Sequence, residues 1–378
     1  MDVGLSPEQL SLAEASRQML ARQWTTAGVR AAALPDGPGH SPELWTQLAD
    51  AGWLRLPFPE SAGGDGGSLI ELGVVVREVG RALVPTTFAS TLHAALLLWE
   101  LGSVEQQERW LRPILNGELL ATVAYAEAAA VHDPAAYQAT VRRLAVGWSL
   151  SGRKLFVENG SLSKLILVAC RVAPDQVPKG LGICAVTPDD EGVSFSRHAT
   201  FGHDLQDEIT FAEVASGAGS LLGGEGADVL RGWRHVTEVV TVLASLEMVG
   251  GAQAVIDRTA QYVTGRHAFG KPIGSFQAVQ HHLANAAMAV KGADLAAWQA
   301  AWRLAEGLSA AREVSIAKAS AGRAYKEATV IAHQLHGGMG YIEETDLHLW
   351  SRRAIAADLR HGSAAYHMQR LAELVGAL

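Results

Sequence analysis

From Gly226 to its end the chain reads as helix, and no other feature constrains the fold as strongly. Apolar residues settle into a helical period through Val239, Leu243, Leu246 and Val249 and continue to Tyr262. The segments at about 275–307, 309–336 and 343–377 are alanine-rich and carry no internal proline, so nothing in them demands a break. Four long helices, each with one apolar stripe to bury, are expected to form an antiparallel bundle.

Upstream the period changes. Between Leu120 and about Leu222 lie short runs such as KLILVACRV, LGICAVTP, GVSFSRH and DEITFAEV, punctuated by Gly, Asp, Asn and Pro. Such runs read as strands of a small antiparallel barrel or sandwich. Residues 1–118 return to helix with marked starts. Ser6-Pro7-Glu8-Gln9 and Ser103-Val104-Glu105-Gln106 have the spacing of a capping box, and Ser41-Pro42-Glu43 gives a third start. Leu44, Leu48 and Trp53, then Trp110, Leu111 and Leu115, supply buried faces, and Pro59–Ser68 is too rich in glycine to be helical. The expected architecture is α+β and multidomain: an N-terminal helical domain (1–118), a central antiparallel β-barrel domain (119–224) and a C-terminal four-helix bundle (225–378).

A chain of 378 residues exceeds one ordinary core, and a hydrophobic fraction of 48% is enough for two or three. The net charge of -8 and the absence of long basic runs argue against nucleic acid as a partner. Cys170 and Cys184 lie in apolar strand-like runs without metal-ligand spacing and are expected to be buried thiols. The opening MDVGLSPEQL lacks the basic and apolar regions of a secretory leader, and no uninterrupted apolar stretch suggests a membrane span. A soluble cytoplasmic protein with no membrane partner is expected.

Two motifs point to a ligand. In RHAFGKPIGSFQAVQHHLA, Arg266 precedes Phe269-Gly270, and Pro272 and Gly274 interrupt two helical patterns. This reads as a helix corner whose tip offers a guanidinium, an aromatic face and bare backbone. In HQLHGGMGY, a helical segment ends near Gln334 and meets Gly337-Gly338, where another backbone or a flat ligand can come close. Together they resemble the R-x-x-F-G and Q-x-x-G-G nucleotide motifs of the acyl-CoA dehydrogenase family. The resemblance implies FAD, with Arg266, Phe269 and Gly270 from one subunit and Gln334, Gly337 and Gly338 from a neighbour. It also implies an acyl-CoA substrate, an electron-transfer flavoprotein or similar acceptor, and a homo- or hetero-tetramer.

Dehydrogenation beside a thioester carbonyl needs a base for the α-proton, hydrogen bonds to the carbonyl oxygen and a flavin to take hydride from the β-carbon. The family's glutamate base occupies one of two positions, and this chain departs at both. Alignment through Arg352 and Arg353 places His361 at the first, and spacing back from Arg266 places Val240 at the second. Three candidates remain. Glu238 lies two residues before Val240, about 200° around a helix. Glu247 lies seven residues after it, on the same face, among apolar residues expected to raise its pKa. His361 could accept a proton in its neutral form.

The strand motifs drift as well. In VAYAEA, Ala126 stands at the family's threonine although Glu127 is kept, and Phe156-Val157-Glu158 replaces a Trp-Ile-Thr. Phe156 can still cover a flavin ring, whereas Glu158 offers a carboxylate in place of a hydroxyl. Ala268 also stands where a threonine is common. The sequence resembles a subgroup that acts in sterol and bulky acyl-CoA catabolism, some of it as heteromeric pairs. Three readings stay open: an acyl-CoA dehydrogenase with a displaced base, a base-lacking FAD-binding partner subunit, and a flavin monooxygenase on the same fold.

Overall fold

A computed structural model describes residues 4–128, 131–173, 180–223 and 229–376. The expected domain boundary at 224 lies outside the described residues. The other falls between a helix ending at Leu115 and a strand starting at Ala121. By compactness the chain divides into two units, and the N-terminal helices are shared between them. A bundle unit contains residues 1–30, 67–84 and 238–378, and a sheet unit contains 31–66 and 85–237.

In the bundle unit the Ser6 start acts as read. Ser6 caps Pro7–Gln23 in a reciprocal capping box with Gln9. Ser68, at the end of the glycine-rich loop, does the same for Leu69–Arg81 with Glu71. The long helix Val229–Gly265, most of which lies here, contributes Met248, Val249, Ala252 and Val255 to a core shared with Val290, Tyr325, Ala328 and Trp350. Glycines allow its closest approach to a neighbour. A Cβ on Gly80 would lie 1.9 Å from the Glu247 carbonyl oxygen, and one on Gly250 would lie 1.8 Å from that of Arg77. This helix is long and apolar enough to span a membrane by length and composition, contrary to the sequence reading. However, 94% of its most apolar window is buried in the protein.

The rest of the unit comprises Gln277–Ala305, Ala311–His336, Leu347–Leu359 and Ala364–Leu374. The expected last helix, 343–377, is therefore two. The break falls at His361 and Gly362, with φ of 56° and 98°. These left-handed angles end a right-handed helix, and glycine tolerates them best. The expected helix corner at Arg266 is instead a small hairpin pairing His267–Ala268 with Lys271–Pro272. Phe269 and Gly270 form its apex with φ of 52° and 80°, the positive pair that a two-residue hairpin turn requires.

In the sheet unit Ser41 caps Pro42–Asp50 and Ser103 forms its capping box with Gln106. The strands are β1 (Ala121–Ala124), β2 (Thr140–Arg143), β3 (Trp148–Glu158), β4 (Leu165–Val172), β5 (Gly180–Val186), β6 (Val193–His198), β7 (Gln206–Ser216) and β8 (Leu221–Leu222). They run in the order β6-β7-β3-β2-β4-β5-β8, with β1 also beside β4. The sheet is mixed, which corrects the antiparallel expectation. β1 pairs with 165–168 and β2 with 171–172, both parallel to β4. After β1 the chain leaves β4 and rejoins it further along in the same direction, so two short strands share one neighbour. The core between them is apolar: Val141, Leu150, Ile166, Val168, Phe211 and both cysteines are buried.

Candidate functional site

The three proton-transfer candidates lie in the bundle unit. Glu247 is buried on the long helix as expected, but its surroundings are ionic. Arg353 Nη1 donates to Oε1 at 3.2 Å and Arg360 Nη2 donates to Oε2. Burial raises the carboxyl, but Arg360 and then Arg353 outweigh it, leaving the pKa below the usual 4.5. The expectation of a raised pKa is thereby corrected, because apolar sequence neighbours do not report partners more than a hundred residues away. Arg353 also donates to the Val84 carbonyl at 3.2 Å, so this guanidinium is fixed by more than the carboxylate.

Glu238 accepts from Arg370 Nη2 at 3.2 Å and is half-buried. Val240 is buried and offers no polar atom. His361 is joined to the Glu247 cluster through its neighbour Arg360. Its backbone is left-handed, and its carbonyl accepts from His367 Nε2 at 2.9 Å. The adjoining Gly362 must be glycine, since a Cβ would lie 2.5 Å from the Tyr366 ring. Arg360 and the buried Lys318, which donates to the Gly362 carbonyl at 2.7 Å, do not appear among the residues picked from sequence, and Arg353 appears there only as an alignment marker. The one available signal was the seven-residue spacing of the two arginines at the end of a helical pattern.

The nucleotide-motif residues form an exposed edge of the same unit. Phe269 is 95% exposed at the hairpin apex, and Arg266 is exposed beside it with no ion pair among the described residues. The hairpin is held from below by the Arg266 amide on the Tyr262 carbonyl and the Ile273 amide on the Arg266 carbonyl, both 2.8 Å. Tyr262 also connects to the second motif. Its ring stacks on His336 at 4.1 Å, and its hydroxyl donates to the His336 carbonyl at 3.3 Å. Helix Ala311–His336 then ends in Gly337, with φ of 59°. Added Cβ atoms on Gly337, Gly338 and Gly270 would meet nothing within 4 Å, and Gln334 is exposed. An unpaired guanidinium, a bare aromatic face and accessible backbone suit a pyrophosphate joined to a flat ring system.

In the sheet unit, Ala126 is buried at the exit of β1 and its carbonyl accepts from the Leu155 amide at 2.9 Å. Phe156 sits on a bulge of β3 with φ of 52° and is 59% exposed, with its ring 5.5 Å from that of His198. Glu158 is half-buried, and its carbonyl accepts from Thr122 Oγ1 at 2.6 Å. Glu127 has a structural environment. It pairs with the buried Lys154 at 2.6 Å and accepts the Gln138 and Ala139 amides at 2.6 and 3.1 Å. Lys154 Nζ also donates to the Tyr125 carbonyl and lies 4.0 Å from the centre of the Tyr137 ring.

This architecture agrees with the comparisons. Residues 6–118, 122–214 and 231–376 match the N-terminal, middle and C-terminal domains of acyl-CoA dehydrogenase. The chain belongs to the acyl-CoA dehydrogenase family, whose members are FAD-binding oxidoreductases. It is 32% identical to "Acyl-CoA dehydrogenase FadE28" of Mycobacterium tuberculosis over 78% of this chain and 81% of that one. Among solved structures it resembles a chain of the ChsE4-ChsE5 complex of the same organism, at 26% identity, a TM-score of 0.90 and full coverage of both. It also resembles a variant of the Tcur3481-Tcur3483 steroid ACAD, at 30% identity, a TM-score of 0.87 and 98% coverage of each.

Proposed function

We propose that this chain is an FAD-binding subunit of a heteromeric acyl-CoA dehydrogenase that acts on bulky, ring-bearing acyl-CoA thioesters, with a related partner chain providing the carboxylate base. The observation that carries this reading is the double arginine pairing of Glu247. A buried carboxylate whose two oxygens are both engaged by guanidinium groups holds its charge but accepts a proton poorly. Glu238 is paired with Arg370, and the family's two glutamate positions hold His361 and Val240, neither a carboxylate. The comparisons support the heteromeric part through likeness to the ChsE4-ChsE5 complex, and the substrate class through likeness to a steroid enzyme.

FAD, when bound, accepts the hydride lost by the substrate's β-carbon. Arg266 would hold its pyrophosphate, Phe269 and Gly270 would receive its adenosine end, and Gln334, Gly337 and Gly338 would serve the cofactor of a neighbouring subunit. In the sheet unit, Phe156 and Ala126 would border a flavin ring and Glu158 would stand in for the missing hydroxyl. The electron acceptor would be an electron-transfer flavoprotein or similar protein.

Expression alone and together with a base-carrying family member from the same genome tests the reading. Flavin bleaching by a steroid side-chain acyl-CoA is expected for the co-purified pair and not for the isolated chain. Exclusive self-assembly combined with full bleaching would contradict it.

A further inference from the structure

Lys318 lies in the first third of helix Ala311–His336 and is fully buried. A buried ammonium needs an acceptor for each of its three protons. Lys318 has three: the carbonyls of Gly362 at 2.7 Å, Asp358 at 2.8 Å and Ala357 at 3.3 Å. The last two belong to the final turn of helix Leu347–Leu359, where carbonyls lack helical partners and the helix dipole is negative. The first belongs to the turn that follows.

The same turn is held from other sides. Asp358 Oδ1 accepts the Ala364 amide at 3.1 Å, and Oδ2 pairs with Lys326 at 2.6 Å. Gly322 provides the room, since a Cβ there would lie 2.1 Å from Asp358 Oδ1. Ser363 caps the next helix by accepting the Tyr366 amide. A connection between two helices needs only the caps. The buried lysine adds a fixed geometry at the residue that aligns with the family's glutamate position.

We propose that Lys318 is a positioning residue, whose ammonium clamps residues Arg360–Ser363 and so holds His361 in its left-handed conformation beside the acyl-CoA site. That site's location rests on the function proposed above, whereas the clamp itself does not.

The clamp has a proton-dependent signature. Burial lowers Lys318 to about 7, Asp358 opposes this, Arg360 and Lys326 reinforce it, and Glu247 opposes it. From the next helix, His367 faces the same helix through Ser315 at 3.4 Å and the turn through the His361 carbonyl. Loss of the proton removes one of three donors, so the turn loosens as pH rises through about 7. Global stability runs the other way. The unfolded lysine stays protonated up to about 10.5, so between these values the unfolded chain binds more protons and this group's contribution rises with pH. Local loosening without global weakening distinguishes the clamp from ordinary alkaline unfolding.

The experiment is amide hydrogen exchange on the full-length FAD-loaded protein from pH 6 to 9, corrected for intrinsic rates, in wild type, Lys318→Met and His367→Gln. In wild type, protection of residues 360–364 should fall about tenfold around pH 7, while the core of helix 311–336 stays protected. In Lys318→Met that protection should be low and flat, and His367→Gln should keep the transition. A pH-independent wild type, or a transition that disappears only in His367→Gln, would overturn the proposal. Should Lys318→Met fail to fold, the wild-type and His367→Gln series still decide. Because no substrate is involved, failure here leaves the heteromeric reading standing, and failure of that reading leaves the clamp standing.

Discussion

Arg360 donates to Glu247 across 113 residues of sequence, joining the turn that carries His361 to the middle of the long helix. With Arg353 on the other oxygen, the carboxylate holds two half-buried cations in place. Replacing Glu247 by Gln leaves both guanidinium groups half-buried without that counter-charge. This should cost about 3–5 kcal/mol of stability, read as a shift in the urea midpoint at unchanged slope. A catalytic role without a structural one would instead leave the midpoint unmoved.

Two buried groups should weaken the fold in acid, in separate windows. His93 is held neutral by burial, with its pKa lowered to about 3. The unfolded histidine takes up its proton near 6.5, so stability is present above that value and lost as pH falls below it, by about 2 kcal/mol at pH 5. The Glu247 contribution is present above 4.5 and is lost only as pH falls through its lower folded value. Denaturation from pH 7 to 5 in wild type and His93→Phe measures the first window alone, and the variant should lose less.

Arg266 should govern flavin retention. Loss of a charge-assisted fork to pyrophosphate costs about 1.5–3 kcal/mol, or roughly ten- to hundredfold in affinity. Arg266→Ala should therefore purify pale. Arg266→Lys should recover only part of the binding, because an ammonium has no fork. Absorbance at the flavin band relative to protein, followed by FAD titration of the apoprotein, reads both.

The elements that local chemistry sets were legible in the sequence. Ser6, Ser41 and Ser103 start helices because a side-chain oxygen reaches an amide two or three residues on. The glycines of the two motifs marked points where the helical pattern breaks, and Gly270 and Gly337 do have the positive φ that glycine tolerates best. The hairpin itself was missed, since two-residue strands carry no period. The helix break at His361-Gly362 was missed because no proline marks it. The parallel pairing of β1 and β2 with β4 depends on where the chain returns, which periodicity does not encode. The environment of Glu247 was read wrongly for the same reason: its neighbours in sequence are apolar, whereas its neighbours in space are arginines.

The central claim is that this chain binds flavin but that neither of its candidate carboxylates, Glu247 and Glu238, is free to take the substrate's α-proton. Anaerobic titration of the isolated protein and of Val240→Glu with a panel of linear and steroid acyl-CoAs, followed at the flavin band, tests it most directly. The account predicts negligible bleaching in wild type and substrate-dependent bleaching in Val240→Glu, where a carboxylate is restored at a position the family uses. Stoichiometric bleaching of the isolated wild-type flavin, unimproved in Val240→Glu, would contradict it.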